Sequence, residues 1–461
     1  MIGTYSFGGG VSARAHSCLQ KQIFSELWEG FTSRCGSIRM ETAKDHVFLL
    51  GSPRLPEKTG AYFTLVSDEN GIGVFAESEK GLICGFLTLL SRIETLETAP
   101  GKEKFAVPFQ REEARPPIQI RMIHFCVFPE TRLFEIRRFI RLAAVLGFTH
   151  LVLEFWGTLR FDALSSLSWK FAFTKEEIRP VLREARDLGM ELVPMFNHWG
   201  HASASRARHG KHVVLDQDPK MQPYFSEDGW TWRIEKEEVR LLMGKIRDEL
   251  IELFGEGSYF HLGCDEAYNF PVNAENAGAV TGYLNEIAAS LAKKGRRAIV
   301  WGDMFLTKRS AWNPENHYTA SAANEAAEKA LLSSLSREII IADWQYRVSR
   351  APVETALILQ KEGFDVILCP WDKTPGVDSV TPCAETVISS GLYGLMHTTW
   401  HTLNFGTPII LQASRLSMGR PIAPRERLST RCAAILRKVY FVDGDYEKAG
   451  WSAKDTGAEP V

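Results

Sequence analysis

Eight short apolar runs, spread over the last three quarters of the chain, constrain the fold more than any other feature. They are residues 118–125 (IQIRMIHF), 150–155 (HLVLEF), 191–197 (ELVPMFN), 259–266 (YFHLGCDE), 297–303 (RAIVWGD), 338–346 (EIIIADWQY), 365–372 (DVILCPWD) and 394–401 (GLMHTTWH). Most read as continuous apolar segments rather than alternating ones, which is the pattern of strands buried on both faces of a parallel sheet. Amphipathic helices separate them. Leu133, Ile136, Phe139, Ile140, Ala143 and Ala144 share one helical face that stops at Gly147, and Val239, Leu242, Ile246, Leu250 and Leu253 share another that stops at Gly255. The repeated alternation implies an α/β fold in which a (β/α)8 TIM barrel closes on itself. The fifth connection is the least regular, because residues 307–336 mix loop with an Ala-rich stretch.

Upstream, the stretch AVPFQREEARPPIQI brings charges and a Pro-Pro pair that interrupt regular structure, so a domain boundary is placed at residues 115/116. Residues 1–115 are expected to form a small α+β domain. It would hold a helix over residues 13–34, strand-like pieces HVFLLG, AYFTLV and GIGVFAES, and a helix in GLICGFLTLLSRIE. Residues 116–461 are then the barrel with a C-terminal helical segment.

Charge narrows the function classes. With 54 basic against 56 acidic side chains the chain has no basic field with which to hold a phosphate backbone, so nucleic acid is not an expected partner. The N-terminal residues lack a charged region followed by an apolar one, and no run is long enough to span a membrane, so a cytoplasmic location without membrane partners is expected. The eight cysteines show no CxxC spacing and read as reduced core thiols.

Active sites of parallel barrels lie at the C-terminal ends of the strands. Here those ends carry Glu154 and Trp156, then Asn197, His198, Trp199 and His201, then Asp265 and Glu266. They continue with Trp301 and Asp303, Trp344 and Tyr346, Trp371 and Asp372, and Trp400 and His401. Six of the twelve tryptophans thus fall on one rim. Indole faces cover the apolar side of a pyranose while carboxylates and amides take its hydroxyls, which is how a pocket holds a sugar. Adjacent strand residues point to opposite faces, so Asp265 and Glu266 serve one pocket only because the strand ends there and the backbone turns. Two carboxyls held close do not both ionise easily, leaving a charged partner beside a proton donor, a division that suits cleavage of a glycosidic bond.

These motifs resemble glycoside hydrolase family 20, the β-N-acetylhexosaminidases. His261-Leu-Gly-Cys-Asp265-Glu266 is similar to the family's H-x-G-G-D-E motif, and Gly200-His201 to its glycine-histidine after strand three. Arg121 is similar to its sugar-binding arginine, and Trp301, Trp344 and Trp400 to the tryptophans that wall the pocket. Residues GAYFTLVSDENGIGVFAESEKGLICGFLTLLSRIE look like its small N-terminal domain. The resemblance implies that Glu266 is the general acid and later base. Asp265 then orients the substrate's 2-acetamido group, whose oxygen attacks the anomeric carbon with retention of configuration. Trp371 and Asp372 join Arg121, His201, Trp301, Trp344, Tyr346 and Trp400 as expected substrate-binding residues. The chain departs from the family pattern at Thr402, where a glutamate is usual, and in PWDKTPGV, which lacks the acetamide-binding tyrosine and leaves Tyr346 as the substitute. Asn197 replaces an aspartate.

The partner is accordingly a small-molecule or oligosaccharide substrate with a terminal amino sugar, with GlcNAc, GalNAc, modified sugars and the aglycone all left open. No cofactor is implied. A metal-dependent hydrolase would need convergent ligands, and strand one offers only His124. The alternative from a different class is a non-catalytic or altered-specificity sugar-binding protein on the same barrel.

Overall fold

The computed structural model describes residues 3–54, 56, 60–203, 212–311, 320–371, 378–400, 403 and 406–439. Among these residues nine strands precede the barrel. Strands β1 (Thr4–Phe7), β8 (Lys104–Pro108) and β7 (Glu94–Glu97) form a three-stranded sheet. A six-stranded sheet runs in the order β3 (Ser37–Ala43), β2 (Gly10–His16), β4 (Val47–Gly51), β6 (Gly71–Phe75), β5 (Phe63–Asp68), β9 (Gln110–Ala114). Helices Gln22–Phe31 and Glu79–Leu90 pack with this sheet, the second burying Leu82, Ile83, Phe86, Leu87, Leu89 and Leu90.

The expected helix over 13–34 begins later. Residues 13–16 end β2, where Ala13 and Ala15 are buried and Arg14 is exposed, a period of two that side chains with high helix propensity concealed.

After Ala114 the chain enters a closed parallel barrel. Its strands are β10 (Ile120–Val127), β11 (His150–Phe155), β12 (Glu191–Met195), β13 (Tyr259–His261), β14 (Arg297–Trp301), β15 (Ile340–Trp344), β16 (Val366–Cys369) and β17 (Gly394–Thr398). Each pairs in parallel with its successor, and β17 returns to β10 with Ile120 opposite Gly394. Each of the eight expected runs contains one of these strands, several of them ending before the run does, and nearly every described residue of the runs is buried. Among the described residues, the fifth connection holds the short helix Lys308–Ala311 before Glu325–Ser334. The last described helix, Arg425–Val439, packs against helices Gln22–Phe31 and Leu133–Val145 and so joins both parts of the molecule. No helix among the described residues is long and apolar enough to cross a membrane.

Ion pairs tie the N-terminal sheet region to the barrel: Arg141 to Glu26 at 2.9 Å, Lys21 to Asp187 at 2.6 Å and Arg420 to Glu112 at 2.6 Å. Arg121 belongs to this same seam, and its expected place in the sugar pocket is corrected. It is the second residue of β10, at the end of the barrel opposite the catalytic rim. There it donates to the carbonyls of Ile118, Gln119 and Gly147, and its guanidinium lies 5.5 Å from the Tyr62 ring. Losing those donors leaves buried carbonyls unpartnered, at about 1–3 kcal/mol for each group. Arg121→Met is therefore expected to lower the thermal unfolding midpoint while KM stays at the wild-type value. A raised KM at unchanged stability would return Arg121 to the pocket.

Candidate active site

The site is built where two loops cross at the ends of β12 and β13. Phe196 N donates to His261 O at 3.1 Å and His198 N to Leu262 O at 2.9 Å, extending the parallel pairing past the strands. Two glycines allow the crossing. A Cβ on Gly263, whose φ is +66°, would stand 1.5 Å from Asn197 Oδ1, and one on Gly200 would stand 1.9 Å from Asp265 O. Beyond Gly263 the chain turns through left-handed φ angles at Cys264 (73°) and Glu266 (53°), and His201 (52°) does the same on the facing loop. Strain of this kind persists only where the surroundings over-determine it.

The turn brings both carboxylates to one imidazole. His201 Nε2 lies 3.3 Å from Asp265 Oδ2 and 3.1 Å from Glu266 Oε2. Asn197 Nδ2 donates to Asp265 Oδ1 at 2.9 Å, which fixes that carboxylate from a second side. The Asp265 side chain is 8% exposed and that of Glu266 25%, so one acid is enclosed and the other faces the opening. His198, by contrast, serves the loop. It is fully buried, its Nδ1 donates to Phe196 O at 2.6 Å, and burial pushes its pKa down to about 3.

An aromatic assembly adjoins the pair. Tyr346 stacks on Trp344 with ring centres 4.9 Å apart and meets Trp371 edge-on at 5.1 Å. The Trp400 indole N–H donates to the Tyr346 hydroxyl at 2.8 Å, and Trp371 Nε1 donates to Thr399 O at 3.1 Å. Trp301 is completely buried beneath this layer, against Trp400 at 5.8 Å and His261 at 4.4 Å, so it forms floor rather than an exposed wall. Trp400 itself has a left-handed φ of 42°. Burial holds the Tyr346 phenol well above its usual pKa, so it remains a protonated donor at neutral pH. Asp372, His401 and Thr402 lie outside the described residues.

Glu154 is buried, with Oε2 3.1 Å from His124 Nε2 and 3.7 Å from the Cys126 thiol. His124, Cys126 and Glu154 present their donor atoms within 4.8 Å of one another, as do His16, His46 and Glu79 in the N-terminal part. Neither group includes the Asp265–Glu266 pair.

Residues 153–374 match the family model described as glycosyl hydrolase family 20, catalytic domain. Over that stretch the chain is similar to the catalytic domain of glycosyl hydrolase family 20. A lacto-N-biosidase from Bifidobacterium bifidum is 20% identical over 205 residues, which are 41% of this chain and only 16% of that protein. Among solved structures, a Streptomyces plicatus β-hexosaminidase mutant in complex with product GlcNAc has a TM-score of 0.64 at 16% identity, covering 98% of this chain and 94% of that one. The chitobiase of Flavobacterium johnsoniae has a TM-score of 0.63 at 16% identity, covering 97% and 71%. At these identities the likeness to the solved structures is one of fold.

One residue at this site, Asp303, was named only as a strand end and not among the expected site residues. Asp303 follows β14, has no exposed surface, and accepts hydrogen bonds from Glu266 N at 2.8 Å and Trp344 Nε1 at 3.1 Å. It therefore joins the strained backbone of Glu266 to the aromatic assembly. Its only sequence signal was a carboxylate two residues past Trp301. Burial first, and then the Asp265 charge, raise its pKa well above the ordinary carboxylate value. A carboxyl raised in this way stabilises the fold below its unfolded pKa of about 3.9, and that contribution is lost as pH climbs through the folded pKa. Removing the titration with Asp303→Asn should make the unfolding midpoint of the variant, relative to wild type, shift in its favour between pH 4 and pH 7. It should also lower kcat, because the amide cannot accept from both N–H groups. A midpoint difference that stays constant with pH would contradict this placement of Asp303.

Proposed function

We propose that the chain is a retaining exo-glycoside hydrolase that releases terminal β-linked N-acetylhexosamine by substrate-assisted catalysis. The observation that carries this reading is the unequal environment of two adjacent acids around one histidine. Asp265, gripped by Asn197 and His201 and enclosed, suits a fixed anion that orients an amide N–H and balances a developing positive charge. Glu266, a quarter exposed and pointing to the opening, suits exchange of a proton with the glycosidic oxygen and then with water.

In the proposed reaction the terminal sugar lies against Trp344, Trp371 and Trp400. Its acetamide nitrogen faces Asp265, and the Tyr346 hydroxyl, already fixed by Trp400, donates to the acetamide oxygen and aims it at the anomeric carbon. Glu266 protonates the leaving oxygen as the C–O bond breaks and the acetamide oxygen bonds to carbon, giving a bicyclic oxazolinium. Glu266, now a carboxylate, takes a proton from water, which opens that ring with net retention. The apolar surroundings exclude competing water and strengthen each charge interaction. Whether the fourth hydroxyl is gluco or galacto is a matter for residues on the rim. The eight cysteines are free and all but Cys35 are buried, which fits a reducing cytoplasmic setting.

Glu266→Gln is expected to reduce kcat/KM by roughly 10²- to 10⁴-fold on substrates with poor leaving groups, the usual size of acid catalysis, and by less on aryl glycosides with very good ones. Equal losses on both classes would remove Glu266 from the acid role. A thiazoline analogue of the bicyclic intermediate should inhibit competitively. Trapping a covalent glycosyl ester on Glu154 would instead identify an ordinary double displacement.

A further inference from the structure

Among the described residues, two groups of side chains bring metal-ligating atoms within 4.8 Å of one another, and they differ in access. His124, Cys126 and Glu154 are all buried inside the barrel, with the His124 ring 4.8 Å from that of Trp400, so an ion could enter there only by shedding its water. His16, His46 and Glu79 lie instead at an open corner of the N-terminal part. Both rings are partly exposed there, and the Glu79 side chain is 60% exposed.

Three elements deliver these residues. His16 is the last residue of β2, and β4 pairs antiparallel with β2, Ala15 opposite Phe48, so the chain entering β4 brings His46 alongside His16. The two rings stand 4.6 Å apart and are tilted by 48°. Ala76 N donates to His46 O at 3.1 Å just after β6, which fixes the link to helix Glu79–Leu90. Ser78 caps that helix by accepting from Gly81 N at 3.1 Å, so the Glu79 carboxylate is not committed to capping. Its Oε1 lies 4.0 Å from His16 Nδ1. That nitrogen accepts from Cys18 N at 3.3 Å and so carries no proton, the form that a metal requires. The lysines nearby face other acids, Lys21 meeting Asp187 at 2.6 Å and Lys80 meeting Glu191 at 3.9 Å. Burial and then the Glu79 charge push the Cys18 thiol up to about 11, so it stays protonated and is not a ligand.

We propose that His16, His46 and Glu79 form a zinc site that fastens the end of β2, the start of β4 and the start of helix Glu79–Leu90 to one another. Two imidazoles and one carboxylate suit this ion and leave a fourth position for water, whereas magnesium and calcium call for more oxygen ligands. Tetrahedral bonds of about 2.0–2.2 Å set ligand atoms about 3.3–3.6 Å apart, so the present spacing closes by small rotations of the exposed Glu79 side chain. A cavity of about 510 Å³ reaches this corner, lined by Cys18, Lys21 and Glu79 and, across the seam with the barrel, by Asp187 and Met190. Lys80 faces Glu191, the first residue of β12, which puts the corner at the end of the barrel away from Asp265 and Glu266. Zinc there acts on stability and leaves glycoside turnover unchanged.

Calorimetric titration of the chelator-treated full-length protein with zinc chloride, and separately with magnesium chloride, tests the site. One zinc ion per chain is expected to bind with a Kd on the order of 1 μM or tighter, with no heat from magnesium. His46→Ala and Glu79→Gln should each weaken zinc by more than about 100-fold, since the loss of even an outer partner of a ligand costs 10- to 100-fold, while Cys126→Ser should bind as the wild type does. Glu79→Gln, at an exposed position, keeps the test open when His46→Ala does not fold. Zinc should raise the thermal unfolding midpoint of the wild type and not that of the variants. Cobalt in place of zinc should show visible ligand-field bands without a thiolate charge-transfer band. Zinc that binds only at about 1 mM or above, zinc held equally well by Glu79→Gln, or a cobalt thiolate band that disappears with Cys126→Ser overturns the proposal.

Discussion

Everything at the catalytic rim depends on the close crossing of the loops after β12 and β13. Gly200 lies directly against Asp265 O, Gly263 against the Asn197 side chain, and the Asn197 amide holds Asp265 Oδ1 at 2.9 Å. That contact leaves no room for the chain to continue as a strand. It turns through left-handed angles at Cys264 and Glu266, and two residues that a strand would send to opposite faces come to the same imidazole. The barrel makes this possible, since a closed parallel sheet with no edges gives the loops rigid ends from which to work.

Three carboxyl groups then share a small buried volume: Asp265, Glu266 and Asp303. Their environments differ. Asp303 is the most deeply buried, is pushed toward its protonated form, and holds the Glu266 amide. Asp265 is enclosed, accepts from Asn197 and faces His201. Glu266 is the member in contact with the opening. Tyr346, kept protonated by burial and placed by Trp400, supplies a neutral donor on the other side of the pocket.

How much of this was legible in the sequence differs from level to level. The barrel was, because strands buried on both faces leave a continuous apolar signature that loops cannot imitate. The start of the first helix was not, because Ala13 and Arg14 favour helices locally and only the sheet selects a strand for them. Asp265, Glu266 and His201 were visible as an ordered motif, and the structure brings both carboxylates within hydrogen-bond distance of His201. Arg121 shows the limit of motif matching. It stands in the first barrel strand as expected, but near the start of β10 rather than its end, and a strand carries its two ends to opposite sides of the barrel. Asp303 meets the Glu266 main chain, and a contact to backbone leaves no pattern in side-chain spacing.

The central claim is that the acetamido group of the substrate, not a carboxylate of the protein, attacks the anomeric carbon. It is tested most directly by measuring kcat/KM on one aryl glycoside whose 2-acetyl group carries zero, one, two or three fluorines. Each fluorine withdraws electrons from the attacking carbonyl oxygen while changing its size little. The account predicts that log kcat/KM falls steeply and linearly with the electron-withdrawing power of the acyl group. A flat series, with the trifluoroacetyl substrate cleaved as fast as the acetyl one, would contradict it.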